Sequence, residues 1–183
     1  YIDVRNSLNS LTPSTLKKNL RDLIVNESLN YLKANPDSHD KLEFEVASTC
    51  FSPLIDKMIP RWEHFGLTSK QIDEAITVYR EHTNKIMNVD YIDDFLEIVY
   101  KLDEKRNSVL NNNDLNKIEK INLLIEDCKN FGTRPFSSLA RLAFIGKTFL
   151  KGFLDKKIIS KKSYDSYLAS ISTVATKMSQ KIE

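Results

Sequence analysis

Only four glycines and five prolines punctuate the 183 residues of this chain. That scarcity constrains the fold more than any other feature. Turn-rich sandwiches and barrels draw heavily on glycine and proline, whereas long helices need few. Between the sparse breakers, apolar residues recur at helical spacing. Leu16, Leu20, Leu23, Ile24, Tyr31 and Leu32 follow one period, stopped by Asn35-Pro36. Ile72, Ala75, Ile76, Tyr79 and Ile86 follow another, opened by Thr68 with Gln71 three residues on, the pattern of a capping box. The chain therefore reads as all-α, a multi-helix bundle of about seven or eight helices with a short extended N-terminal segment.

The boundaries follow from local chemistry. Tyr1 to Leu11, with Ile2, Val4 and an Asn/Ser-rich stretch, predicts the extended segment, and Thr12-Pro13 predicts a helix N-cap with proline at its first position. Asp37 and Ser38 suit the cap of a second helix carrying Leu42, Phe44, Val46 and Ala47, and Pro53 and Pro60 bracket a short third one. Asp90 starts a helix with Phe95, Val99 and Leu102 inward. Asp114 caps the next, which ends at Gly132 as a left-handed C′ residue. Pro135 opens a strongly apolar helix, and Ser160 caps the last, with Tyr164, Leu168, Ile171, Val174, Ala175 and Met178 at helical spacing. Residues 1–183 read as a single helical domain.

Charge and cysteine usage narrow the function classes. Twenty-seven basic residues against 25 acidic ones, a formal +2, give no electrostatic reason to bind nucleic acid or a membrane, and neither is expected as a partner. No apolar run approaches the ~18 residues of a membrane span. Cys50 and Cys128 show no disulfide pattern and read as reduced thiols. With no apolar signal-peptide core in Tyr1-Ile2-Asp3-Val4-Arg5, a cytoplasmic location is expected. The chain opens on Tyr1 rather than methionine, and we expect it to be excised from a larger multidomain enzyme.

No self-sufficient catalytic centre is legible. His39, His64 and His82 stand alone, outside any metal-binding spacing, and read as surface or capping residues. Gly66, Gly132, Gly146 and Gly152 are unpaired, so no phosphate-cradling loop is expected. No catalytic residue, metal site or cofactor is assigned to the chain itself, which is expected to show no ATPase or kinase activity alone. Three stretches nevertheless carry unusual polar detail. In an extended chain Asp3, Arg5, Ser7 and Asn9 share one face, either a binding row or a solvated edge. Glu43-Phe44-Glu45 sets two carboxylates among core positions, either at a ligand or as a salt bridge at the core rim. The corner from Glu126 through Thr133, Arg134 and Phe136 to Arg141 joins one helix end to a helix start. There free N–H groups and arginines can clamp an anion, or the corner is simply well capped.

These stretches also carry a resemblance. Tyr1-Ile2-Asp3-Val4-Arg5 with Pro13, then Asp40-Lys41-Leu42-Glu43-Phe44-Glu45, resemble successive blocks in the middle region of proteins of the phosphoenolpyruvate synthase and pyruvate phosphate dikinase type. Ile125-Glu126-Asp127-Cys128-Lys129-Asn130-Phe131-Gly132-Thr133 through Pro135-Phe136 and Leu139-Ala140-Arg141 is similar to a third block, and Ser163-Tyr164-Asp165 with Ile171-Ser172-Thr173-Val174-Ala175 to the closing one. Order and spacing agree along nearly the whole chain. Arg134 departs from the pattern, which places an apolar residue there, so no ligand role is carried over to it.

The resemblance implies the central helical domain of an ATP-dependent, phosphohistidine-type phosphotransferase. Its partners would be flanking ATP-grasp and phosphohistidine domains of the same polypeptide, and ATP and Mg2+ would be bound by the parent enzyme rather than here. The branch looks most like relatives found with capsular polysaccharide genes, among them L-glutamine kinases of phosphoramidate modification, which makes L-glutamine the first candidate acceptor. Substrate-binding roles then fall on Asp3, Arg5, Asn9, Glu43, Glu45, Thr133, Phe136 and Arg141. The arginines would neutralise a carboxylate or phosphoryl group and the acids receive an ammonium. Arg141 and at least one of Asp3, Glu43 or Glu45 are expected around one cleft lined by Phe136 or Phe44. The alternative is a non-catalytic helical spacer or docking module between the two catalytic domains. An independent helical interaction protein is a third reading.

Overall fold

The computed structural model describes residues 3–171, which hold eight α-helices and, among the described residues, no strand. They are α1 (Val4–Leu11), α2 (Lys18–Ala34), α3 (Ile59–His64), α4 (Ser69–Ile86), α5 (Val89–Asn111), α6 (Lys117–Asp127), α7 (Arg134–Asp155) and α8 (Lys161–Ser170). The all-α reading holds. Of the final apolar series, Val174, Ala175 and Met178 lie outside the described residues, as do Tyr1 and Ile2.

The main core joins α2, α3 and α4. Leu20 and Ile24 of α2 pack with Trp62 of α3 and with Ile72, Ala75 and Tyr79 of α4. Trp62 and Tyr79 stack at 5.9 Å between ring centroids. The α4 stripe is thus the buried face that its period predicts, and the Thr68–Gln71 capping box closes both ways. A second cluster sets Leu8 and Leu11 of α1 on Val25 and Leu32 of α2. A third ties Ile145 of α7 to Cys50 and Ile86. α5 packs against both α6 and α7, and α6 has no buried residue.

Four local expectations are corrected. The N-terminal segment is helical from Val4, not extended to Leu11. The Asp3 carboxylate accepts the Asn6 amide at 3.0 Å, and Val4, Leu8 and Leu11 fall on one face that packs against α2. The Asp3/Arg5/Ser7/Asn9 row therefore does not form, because a helix turns ~100° per residue. Thr12 ends α1, its hydroxyl donating to the Leu8 carbonyl at 2.9 Å, and α2 starts only at Lys18. The helix expected after Asp37 is a 3-10 turn, Pro36–Lys41, followed by a π-turn, Leu42–Val46, closed by the Ala47 amide on the Leu42 carbonyl at 2.8 Å.

The corner at Gly132 is not a corner. Cys128–Thr133 forms a π-turn that runs into α7 with helical backbone at Thr133 and Arg134. The Arg134 amide bonds back to Lys129, so the free helix N-terminus expected there does not exist. The left-handed glycine is Gly66 (φ 98°) instead. It ends α3 in a Schellman motif, with Leu67 N–H on the Trp62 carbonyl and Gly66 N–H on that of Glu63, both at 3.0 Å.

The segment after Cys50 is clasped to the end of α7 by Lys57–Asp155 at 2.5 Å and by Lys156–Asp56. Between these pairs Gly152 meets Pro53 so closely that a Cβ would sit 3.0–3.2 Å from three of its side-chain atoms. Gly152→Val should therefore lower stability by about 1–3 kcal/mol through overpacking. It would read as a lower urea midpoint at unchanged slope. Gly152→Ala should lose less, since its helix propensity returns up to ~1 kcal/mol. A valine variant as stable as the parent would show that Pro53 yields.

Candidate functional site

A cavity of about 310 Å3 opens between the Leu42–Val46 π-turn, the Ala47–Cys50 segment, Arg61 and the α7 residues Thr148 and Lys151. That volume suits a small ligand. Its wall is set by Arg61. The guanidinium binds both Glu27 oxygens at 2.9 and 3.0 Å, donates to the Glu45 and Val46 carbonyls at 3.0 Å each, and lies 3.9 Å over the Tyr31 ring. Glu27 is only 5% exposed. Burial pushes its carboxyl above the usual carboxylate range, and Arg61 pulls the other way with smaller effect. The π-turn carbonyls have thus found a cation instead of solvent, which positions Glu43, Phe44 and Glu45 at the rim.

The cleft holds both signs of charge. Glu43 and Glu45 are half-buried. Glu45 has Lys41 at 3.9 Å, and Glu43 has no ion-pair partner among the described residues. A second lobe of about 270 Å3 shares Phe44, Glu45, Leu54, Thr148 and Lys151 with the first and adds Lys41 and Lys147. The Lys147 ammonium lies 4.1 Å over the Phe44 ring, whose edge meets Phe144. Ser48 borders the first lobe, and its buried hydroxyl has no hydrogen-bond partner. Cys50 is a buried wall residue of the first lobe, and burial raises its thiol to about 11. No group of three or more His, Cys, Asp or Glu able to hold a metal occurs among the described residues. No described helix is long and apolar enough to cross a membrane.

Of the eight residues singled out in the sequence, Glu43 and Glu45 line this cleft and six do not. Asp3 caps its own helix, and Arg5 donates to the Asn26 side chain at 2.5 Å. Asn9 is half-buried on α1. Thr133 is exposed, and its carbonyl accepts the Ser137 hydroxyl at 2.9 Å. Phe136 is 69% exposed. Arg141 reaches the N-terminal stretch, but as a donor to the Ser10 carbonyl at the end of α1, where a cation suits the helix dipole. Burial first, then the charges of Arg141 and Lys85, hold His82 below the ordinary imidazole value. The convergence of Arg141 with Glu43 or Glu45 is thus corrected: Phe44 lines the cleft, and the cations beside it are Lys41, Lys147 and Lys151.

Several of these residues had a sequence signal. Glu27 sits on the buried face of α2 between Ile24 and Ser28, and an acid on such a face needs a cation. Lys147 and Lys151 stand four apart, on one face of α7. Ser48 had none, because its burial comes from long-range packing. No family model, curated protein or solved structure matches the chain.

Proposed function

We propose that this chain is the acceptor-side helical domain of an ATP-dependent, phosphohistidine-type phosphotransferase of the phosphoenolpyruvate synthase kind, with L-glutamine the first candidate acceptor. The observation that carries this reading is the mixed charge of the cleft, with Glu43 and Glu45 at one rim and Lys147 and Lys151 on the facing helix. A zwitterionic amino acid needs that pairing, a carboxylate for its ammonium and cations for its carboxylate. The work of such a domain is orientation: it holds the acceptor still while other domains bring the phosphoryl group. ATP and Mg2+ do not fit the residues present. No carboxylate cluster and no phosphate-cradling loop occurs among the described residues, and the start of α7 is closed off by the π-turn. Both belong to the flanking domains.

Calorimetric titration with L-glutamine tests the reading. Saturable binding that Glu43→Gln weakens by about tenfold, or 1.4 kcal/mol, supports it. No binding to the folded chain would favour the spacer or docking reading. That second reading has its own support. Arg5, Asp3 and Arg141 all have hydrogen-bond partners away from the cleft, and Ile118 and Ile121 of α6 and Phe136 of α7 are 71%, 56% and 69% exposed.

A further inference from the structure

We propose that the Phe44 end of the cleft is an oxyanion site, in which Lys147 and Lys151, with Lys41 opposite, hold the carboxylate or phosphate of a small organic anion. The proposal rests on reading the cleft as a ligand site and names the lobe and the lysines that would take the ligand's anionic group. Lys147 and Lys151 are one helical turn apart on α7, an exposed like-charge pair whose repulsion an anion between them would relieve. Neither forms an ion pair among the described residues, whereas Lys57 and Lys156 beside them are both neutralised. The Phe44 ring under Lys147 holds one ammonium at the lobe instead of letting it stray into solvent. Three lysines face a single carboxylate there, that of Glu45, whose contact with Lys41 is long at 3.9 Å.

An independent observation comes from the adjoining lobe. Ser48 is 5% exposed, and its hydroxyl has no partner in the protein. A buried hydroxyl without a partner is costly, and the cleft it borders gives a ligand access to it. A ligand whose anionic group is held by the lysines extends past Thr148 and Lys151, which line both lobes, toward Ser48 and Glu43. The class of ligand that fits is a small anion with a polar or cationic tail.

The test titrates the full chain separately with inorganic phosphate, L-glutamate and L-glutamine. The readout is calorimetry and amide chemical shifts, with circular dichroism confirming that each variant is folded. Lys147→Ala and Lys151→Ala should each weaken binding of phosphate or glutamate by about tenfold. Lys156→Ala, just past the end of α7 and paired with Asp56 outside the cleft, should leave it unchanged. Ser48→Ala should weaken the amino acids and not phosphate, which is too small to span both lobes. If neither anion binds, or if binding ignores Lys147 and Lys151, the oxyanion site is wrong. The two readings separate cleanly. Glutamate or phosphate binding through the lysines, with no binding of glutamine, keeps the oxyanion site and removes glutamine as acceptor. Glutamine binding that ignores both lysines keeps the acceptor reading and removes the oxyanion site.

Discussion

Replacing Arg61 by alanine is expected to cost about 3–5 kcal/mol of stability, because it strands a buried carboxylate. Glu27 is 5% exposed, and both its oxygens are bound to the Arg61 guanidinium. The same substitution removes the donor to the Glu45 and Val46 carbonyls, so the cleft wall should loosen with the fold. The effect should depend on pH with a definite sign. Burial already places the Glu27 carboxyl above its unfolded value. A folded-state pKa above the unfolded one contributes stability that is fully present below the unfolded pKa and is lost as pH rises through the folded one. Without Arg61 the folded value climbs further, so the variant's deficit should be small near pH 4 and full near pH 7. Urea unfolding at the two pH values measures this. An equal deficit at both would assign the loss to the orphaned carbonyls instead. Replacing Glu27 and Arg61 together by methionine should recover much of the loss, since an apolar pair of similar volume leaves no buried charge.

What was legible in the sequence was whatever neighbours along the chain decide. Thr68 and Gln71 form their capping box with no help from elsewhere, Ser160 accepts the Ser163 amide at 3.0 Å, and Asn35 ends α2 before Pro36. The polar Asn/Ser composition hid α1, whose helicity comes from one cap at Asp3 and from packing on α2. Gly132 looked like a helix stop because glycine usually is one. Here the π-turn takes in Gly132 and runs on into α7, with Pro135 in the first turn of that helix. The candidate site was half legible for a related reason. Glu43 and Glu45 stood out as acids among core residues, but the α7 lysines that share their cleft lie about a hundred positions away, and the wall behind them comes from Arg61 and Glu27, 34 apart. Local pattern shows that a charge needs a partner. Only the packing of α7 against the π-turn shows which one it has.

Trp62→Ala should be comparably damaging, at about 3–5 kcal/mol, for the opposite physical reason. Trp62 is fully buried at 0% exposure and bridges α2, α3 and α4, so truncation leaves a cavity lined by Leu20, Ile24, Ala75 and Tyr79. Collapse around that cavity is restricted. The Schellman motif at Gly66 fixes the end of α3, and the capping box at Thr68 fixes the start of α4 two residues later. For a chain of this size such a loss lowers Tm by on the order of 10 °C in calorimetry. Trp62→Phe separates volume from chemistry. The indole N–H is buried without a partner, so phenylalanine removes an unsatisfied donor along with some volume, and it should recover more than half of the alanine deficit. Trp62 is also the chain's single tryptophan. In the parent its emission should be blue-shifted and should move red only at global unfolding, in step with the loss of helical signal. A red shift well before the helices melt would show that the α2–α3–α4 core opens independently and would cut the expected cost of Trp62→Ala to that of a local transition.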